Sequence, residues 1–126
     1  MSSFGRLYQP RFESCKTKTA VLKGAAVTLT SKYVTEDEVE ALNAATEIPH
    51  AFAVDAYAAG ETGNFYRPGG DAWGLAGAAI ALNDFLKINA SGEVIPATAG
   101  DKVVGRALMA AADAALVRFF FFEGSI

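Results

Sequence analysis

The sequence predicts a small, mainly β fold, a β-barrel or sandwich, and three observations carry that prediction. Short apolar segments recur at close spacing, with turn residues between them. Phe85 to Ile88 and Glu93 to Ile95 flank Asn89-Ala90-Ser91-Gly92, a hairpin pattern in which Gly92 supplies positive φ. The chain also repeats itself: Gly24-Ala25-Ala26-Val27-Thr28-Leu29 is matched 53 residues later by Gly77-Ala78-Ala79-Ile80-Ala81-Leu82. At the same offset Phe52-Ala53-Val54 falls on Gly105-Arg106-Ala107, and with one residue removed Phe65-Tyr66 falls on Val117-Arg118. A repeated unit of this size is a supersecondary module that cannot bury its apolar face alone, so a second copy covers it.

In chain order, residues 1–20 show neither a period of 2 nor one of 3.6 and read as an extended N-terminal arm. Residues 21–126 form the β-rich domain, with half-repeats at 24–66 and 77–119. Ala20 to Thr30 holds a strand, with Val27 and Leu29 on one face and Thr28 and Thr30 on the other. Thr35-Glu36-Asp37-Glu38 matches a capping box whose acids suit a helix N-terminus, so one short helix is expected from Thr35 to Ala45, burying Val39 and Leu42. Ala51 to Ala58 reads as a strand, Gly60 to Gly63 as a turn, and Asn64 to Tyr66 as a short strand. Arg67-Pro68-Gly69-Gly70-Asp71 joins the halves, and Trp73 to Ile80 opens the second. After the hairpin come a turn at Ala97 to Asp101, a strand from Lys102 to Met109, a small-residue connection, and a last strand from Leu116 to Phe122.

A chain of 126 residues supports one domain or two very small fused halves. Its apolar fraction of 52% is inflated by alanine, and no stretch reaches the ~20 apolar residues of a membrane span. The start lacks an apolar signal-peptide core, so production in a cytosol is expected. The single cysteine, Cys15, rules out an internal disulfide and a thiolate metal cage, and reads as a free thiol. The net charge of −3 is unevenly spread. Residues 1–23 carry Arg6, Arg11, Lys16, Lys18 and Lys23 against Glu13 alone, a net of +4, and the rest of the chain carries −7. A basic arm on an acidic body fits nucleic acid or an acidic protein surface. Its interleaved Phe4, Tyr8 and Phe12 favour the protein: such an arm docks apolar side chains.

Catalytic chemistry is not legible. Enzymes need titratable groups matched to proton transfer or an activated nucleophile. The one histidine, His50, follows Pro49 in a turn, and no serine sits in a nucleophile-elbow pattern. Gly69 to Gly74 lacks the lysine and Ser/Thr of a phosphate-binding loop. No catalytic residue, metal site or cofactor is expected. Phe119-Phe120-Phe121-Phe122 instead alternates across a strand, which places phenylalanine on both faces. Either both faces are covered within the monomer, or one pair is buried at an oligomer interface, since exposure would invite aggregation.

One stretch of the second half resembles a known family. Ala76 to Ile88, then Ser91-Gly92-Glu93-Val94-Ile95-Pro96-Ala97, then Gly100 to Leu108 is similar to the capsid decoration, or cement, proteins of tailed bacteriophages. The resemblance spans about forty residues and consists of turn and strand signals. It implies a non-enzymatic subunit on the outside of a phage capsid, often a trimer, assembled in the host cytoplasm and stabilising the shell through the major capsid protein. Nucleic acid and membrane are not expected as partners. The arm residues Phe4, Arg6, Tyr8, Arg11, Phe12, Lys16 and Lys18 would then dock on the capsid, and Phe119 to Phe122 would form the oligomer interface. The acidic segment at Thr35 to Ala45 and the phenylalanine strand depart from the family pattern. Two other readings remain: a tail or fibre component built on the same module, and a ligand- or carbohydrate-binding domain using Trp73, Tyr57 and Tyr66.

Overall fold

The computed structural model describes residues 10–30, 37–42 and 49–125, and the fold is mainly β. Ten strands run β1 (Phe12–Thr17), β2 (Ala26–Leu29), β3 (Asp37–Ala41), β4 (Ala51–Ala53), β5 (Thr62–Tyr66), β6 (Gly70–Leu75), β7 (Phe85–Ile88), β8 (Val94–Pro96), β9 (Lys102–Ala107) and β10 (Leu116–Ser125). The first five close a barrel in the order β1-β3-β2-β4-β5, and the second five form a sheet in the order β6-β10-β9-β7-β8.

These two halves have one topology. Each of β1 to β5 has its counterpart five strands later, and the pairings map one to one. Cys15 opposite Gly63 corresponds to Gly74 opposite Val117, and Ala53 opposite Phe65 to Ala107 opposite Phe119. Leu29 opposite Val39 corresponds to Ile88 opposite Val94. Even the parallel contact that closes the first barrel, Thr17 to Val39, returns as a single parallel bridge, Ala76 to Val94. The isolated bridge Val21 to Tyr57 returns as Ile80 to Ala111.

The register differs from the one expected. Residues of β1 and β2 map 59 positions on, as Cys15 to Gly74, whereas residues of β4 and β5 map 54 on, as Ala53 to Ala107. Gly24 therefore corresponds to Asn83 and not to Gly77, as their matching amides show: Gly24 bonds the Ala53 carbonyl and Asn83 the Ala107 carbonyl. The Gly-Ala-Ala match is a coincidence of an alanine-rich chain, and the modules begin at β1 and β6 instead of Gly24 and Gly77. By register, the first half carries its extra residues chiefly between Leu29 of β2 and Val39 of β3, where the second runs from Ile88 to Val94 through its Asn89 to Glu93 turn.

Two further expectations are corrected. The helix expected over Thr35 to Ala45 is overturned at its described residues: Asp37–Ala41 is a strand, parallel to β1 and antiparallel to β2. Tertiary pairing overrides the local capping signal, which lies partly outside the described residues. Val39 is fully buried between the half-buried Glu38 and Glu40, a strand alternation. Nor do residues 12–17 belong to an arm. They are β1, held between β3 and β5, with Cys15 and Thr17 buried and the intervening residues exposed.

Burial explains how the halves join. Cys15, Val21, Val27, Val39, Ala51, Ala53 and Phe65 fill the first barrel. The larger cluster fills the second half and takes in Ala26, Leu42, Phe52 and Tyr66 from the first. On β4, Ala51 and Ala53 belong to the first core, while Phe52 between them joins the second. The seam also carries main-chain bonds from Leu75 to the Gly24 carbonyl and from Ala26 to the Gly92 carbonyl, at 2.8 and 2.9 Å. Gly92 sits at φ 78°, and a Cβ there would lie 2.9 Å from the Ala26 carbonyl oxygen, so the β7–β8 hairpin can approach β2 only as glycine.

Candidate functional site

Three surfaces bear on function. The first is the outer face of β1. Because strand side chains alternate, Phe12, Ser14 and Lys16 project outward, with Arg11 and Lys18 exposed at its ends. Phe12 is 59% exposed and packs on Tyr66 of β5 with ring centroids 5.4 Å apart. Lys16 lies in register with Glu38 on β3, so the basic strip borders an acidic strand. Of the expected docking residues, Phe12 and Lys16 are thus on the sheet and Arg11 and Lys18 flank β1, whereas Phe4, Arg6 and Tyr8 lie outside the described residues.

The second surface is β10. Phe119 and Phe121 are fully buried against Phe52, so they are core residues and cannot form an oligomer interface. Phe120 and Phe122 are half-buried on the other face, their rings 5.7 Å apart. The phenylalanine run therefore divides, one pair completing the core and the other facing outward.

The third is a cleft of about 380 Å³ at the seam, lined by Lys23, Gly24, Ala53, Val54, Tyr66, Trp73 and Leu116. Trp73 is 38% exposed, and Arg118 stands opposite it on β10, holding Asp71 with Nε and Nη2 at 2.9 and 2.7 Å. Burial, and then the Tyr57 phenol, push the Tyr66 phenol above its ordinary value of 10.0. Tyr57 is not in this wall. Its ring lies 5.5 Å from Phe65, and its hydroxyl accepts the Asn64 amide at 3.0 Å.

A polar cluster at one end of the first barrel was not legible in the sequence. Glu13 and Cys15 are two apart on β1 and share its inner side, His50 precedes β4, and Arg67 follows β5. The Cys15 thiol donates to Glu13 Oε2 at 3.2 Å, and His50 Nε2 lies 2.9 Å from the same oxygen. Arg67 Nε holds Glu13 Oε1 at 3.1 Å, while its Nη1 lies 3.2 Å from His50 Nδ1 and donates to the His50 carbonyl. Only the spacing of Glu13 and Cys15 hinted at this. Barrel closure brings in the other two.

Neither a family model nor a curated protein matches the chain. Among solved structures, the chain is similar to the head fiber gp8.5 N base of bacteriophage phi29, with a TM-score of 0.73 and 19% identity, over 94% of this chain and 98% of that one. At that identity the likeness shows the fold: one architecture spans both chains almost end to end.

Proposed function

We propose that this protein is a non-enzymatic structural component of a bacteriophage virion, which binds the outer surface of the capsid and stabilises the shell. The observation that carries the reading is the end-to-end fold likeness to a phage head fiber base. The decoration-protein resemblance between Ala76 and Leu108 points the same way. A tail or fibre role is the nearest alternative, since the similar phi29 protein is a head fiber base.

In this reading the barrel and the sheet packed on it are a rigid platform. The exposed strip of Arg11, Phe12, Lys16 and Lys18, continued by Phe4, Arg6 and Tyr8, docks on an acidic face of the major capsid protein. Phe120 and Phe122 are the outward pair for self-association, with a trimer favoured. Contacts of modest strength repeated over a shell add up through multivalency. Binding to the assembled shell alone shifts the equilibrium toward assembly.

Cosedimentation of the protein with empty shells of its own phage tests this. The expected result is saturable binding that raises the temperature of shell disruption. Binding should weaken with Lys16→Glu together with Lys18→Glu, and with rising salt as the Debye length shrinks to about 3 Å at 1 M. Deleting residues 1–9 probes the arm without removing β1. Absence of binding to shells, with binding to tails or fibres, would move the protein to those structures.

A further inference from the structure

We infer that Glu13, Cys15 and His50 form a binding site for a divalent transition-metal ion, zinc foremost. Their ligand atoms all lie within 4.8 Å of one another. Thiolate, imidazole and carboxylate together suit borderline-soft zinc and not magnesium or calcium, which take oxygen. A tetrahedral zinc holds its N and O ligands about 3.3 Å apart and its S and O ligands about 3.6 Å apart. Glu13 Oε2 stands 2.9 Å from His50 Nε2 and 3.2 Å from Cys15 Sγ. Each pair needs to spread by only about 0.4 Å to reach those separations. Three protein ligands leave a fourth position for water or for a group from a neighbouring molecule.

The duplicated architecture supplies an internal control. Glu13, Cys15, His50 and Arg67 correspond to Ala72, Gly74, Val104 and Phe121 in the second half, all of them buried. The module therefore closes this end with apolar groups, and nothing in its topology asks for a thiol, an imidazole and a carboxylate there. Cys15 is fully buried and the His50 side chain is only 12% exposed.

The assignment also fixes where the protons go. Accepting from Arg67 leaves Nδ1 of His50 without hydrogen, so Nε2–H points at Glu13. Metal binding at Nε2 moves that hydrogen to Nδ1, where it faces the donor Arg67 Nη1, so the guanidinium must give up the ring nitrogen; the Cys15 thiol proton is displaced to solvent. Arg67 then keeps its bonds to Glu13 Oε1 and the His50 carbonyl, orienting the carboxylate from outside the ligand set.

The test uses the full chain, free of any affinity tag, titrated with zinc against a chromogenic chelator and separately with cobalt(II). The expected result is one metal per chain, a thiolate-to-cobalt charge-transfer band, proton release on binding, and a higher Tm with zinc. Cys15→Ser should abolish the band, and His50→Gln should weaken zinc binding at least tenfold, the low end of what even an outer-shell substitution does. If Cys15→Ser fails to fold, the cobalt spectrum of the unaltered chain and the His50→Gln titration decide. Absence of the charge-transfer band, or zinc affinity unchanged in His50→Gln, overturns the assignment and leaves the cluster as a polar barrel lining.

Discussion

Phe52 of the first half meets Phe121 of the second edge-on, with ring centroids 4.9 Å apart and planes at 86°. The same ring meets Phe119 at 5.1 Å and 75°. Edge-to-face contact aims the positive rim of one ring at the negative face of another, which adds to the area buried. Phe52 thus couples two modules that each have their own strands. Its counterpart in the second half is Arg106, which is exposed, so the coupling is one-sided.

Phe52→Ala should therefore cost about 3–5 kcal/mol, the range for emptying a buried phenylalanine site. Denaturant unfolding followed by Trp73 fluorescence and by circular dichroism checks this. The two probes should coincide in the parent chain and separate in the variant, because Trp73 reports β6 and the seam, whereas circular dichroism reports the strands of both halves.

Ala114 sits at φ 70°, and the matching position in the first half is Gly60 at φ 88°. The two amides make matching bonds, to the carbonyls of Ala76 and Thr17. A left-handed alanine is strained where glycine is not. Ala114→Gly should stabilise the protein by about 0.5–1 kcal/mol despite glycine's greater freedom in the unfolded chain. Thermal melting should show Tm rising by a few degrees. A fall would mean that the strain at Ala114 is already relieved by its neighbours.

Asp101 closes the turn before β9. The backbone amide of Thr98, then the Lys87 ammonium, hold its carboxyl down at about 2 against an ordinary 3.8. A folded value below the unfolded one means the stabilisation is present above pH 3.8 and is lost as pH falls through about 2. Asp101→Asn should destabilise the protein at neutral pH, and the gap to the parent should narrow across that window. Carboxyl NMR titration and melts at several pH values check both parts. A gap independent of pH would show that Asp101 titrates alike in the folded and unfolded chain, and would overturn the carboxylate's role in the turn.

Light scattering tests self-association through β10. Phe120→Ser together with Phe122→Ser should lower the molar mass in solution and leave the melting transition cooperative. Phe119→Ser should unfold the chain outright, since its ring is wholly inside. A parent chain that is monomeric at tens of micromolar (roughly the range where a specific interface persists) would remove β10 as an interface.

The sequence alone determined the β class and much of its punctuation. The Asn89 to Gly92 turn and the breaks at Gly60, Gly69 and Gly100 are local events, set by positive φ at those glycines, and all occur in the structure. Locality is also why Phe119 to Phe122 could be split into two faces by alternation. What only the tertiary structure decided is everything that depends on partners distant in the chain. Residues 37–41 carry a helix start signal, yet β1 and β2 supply main-chain hydrogen bonds that make them a strand. The true repeat keeps strand pairing and inward parity while nearly every side chain has changed, so matching letters found the wrong offset. The Glu13, Cys15, His50 and Arg67 cluster is assembled by barrel closure from β1 and the residues that flank β4 and β5. No spacing along the chain encodes that closure, because it depends on how the strands tilt and pair in three dimensions.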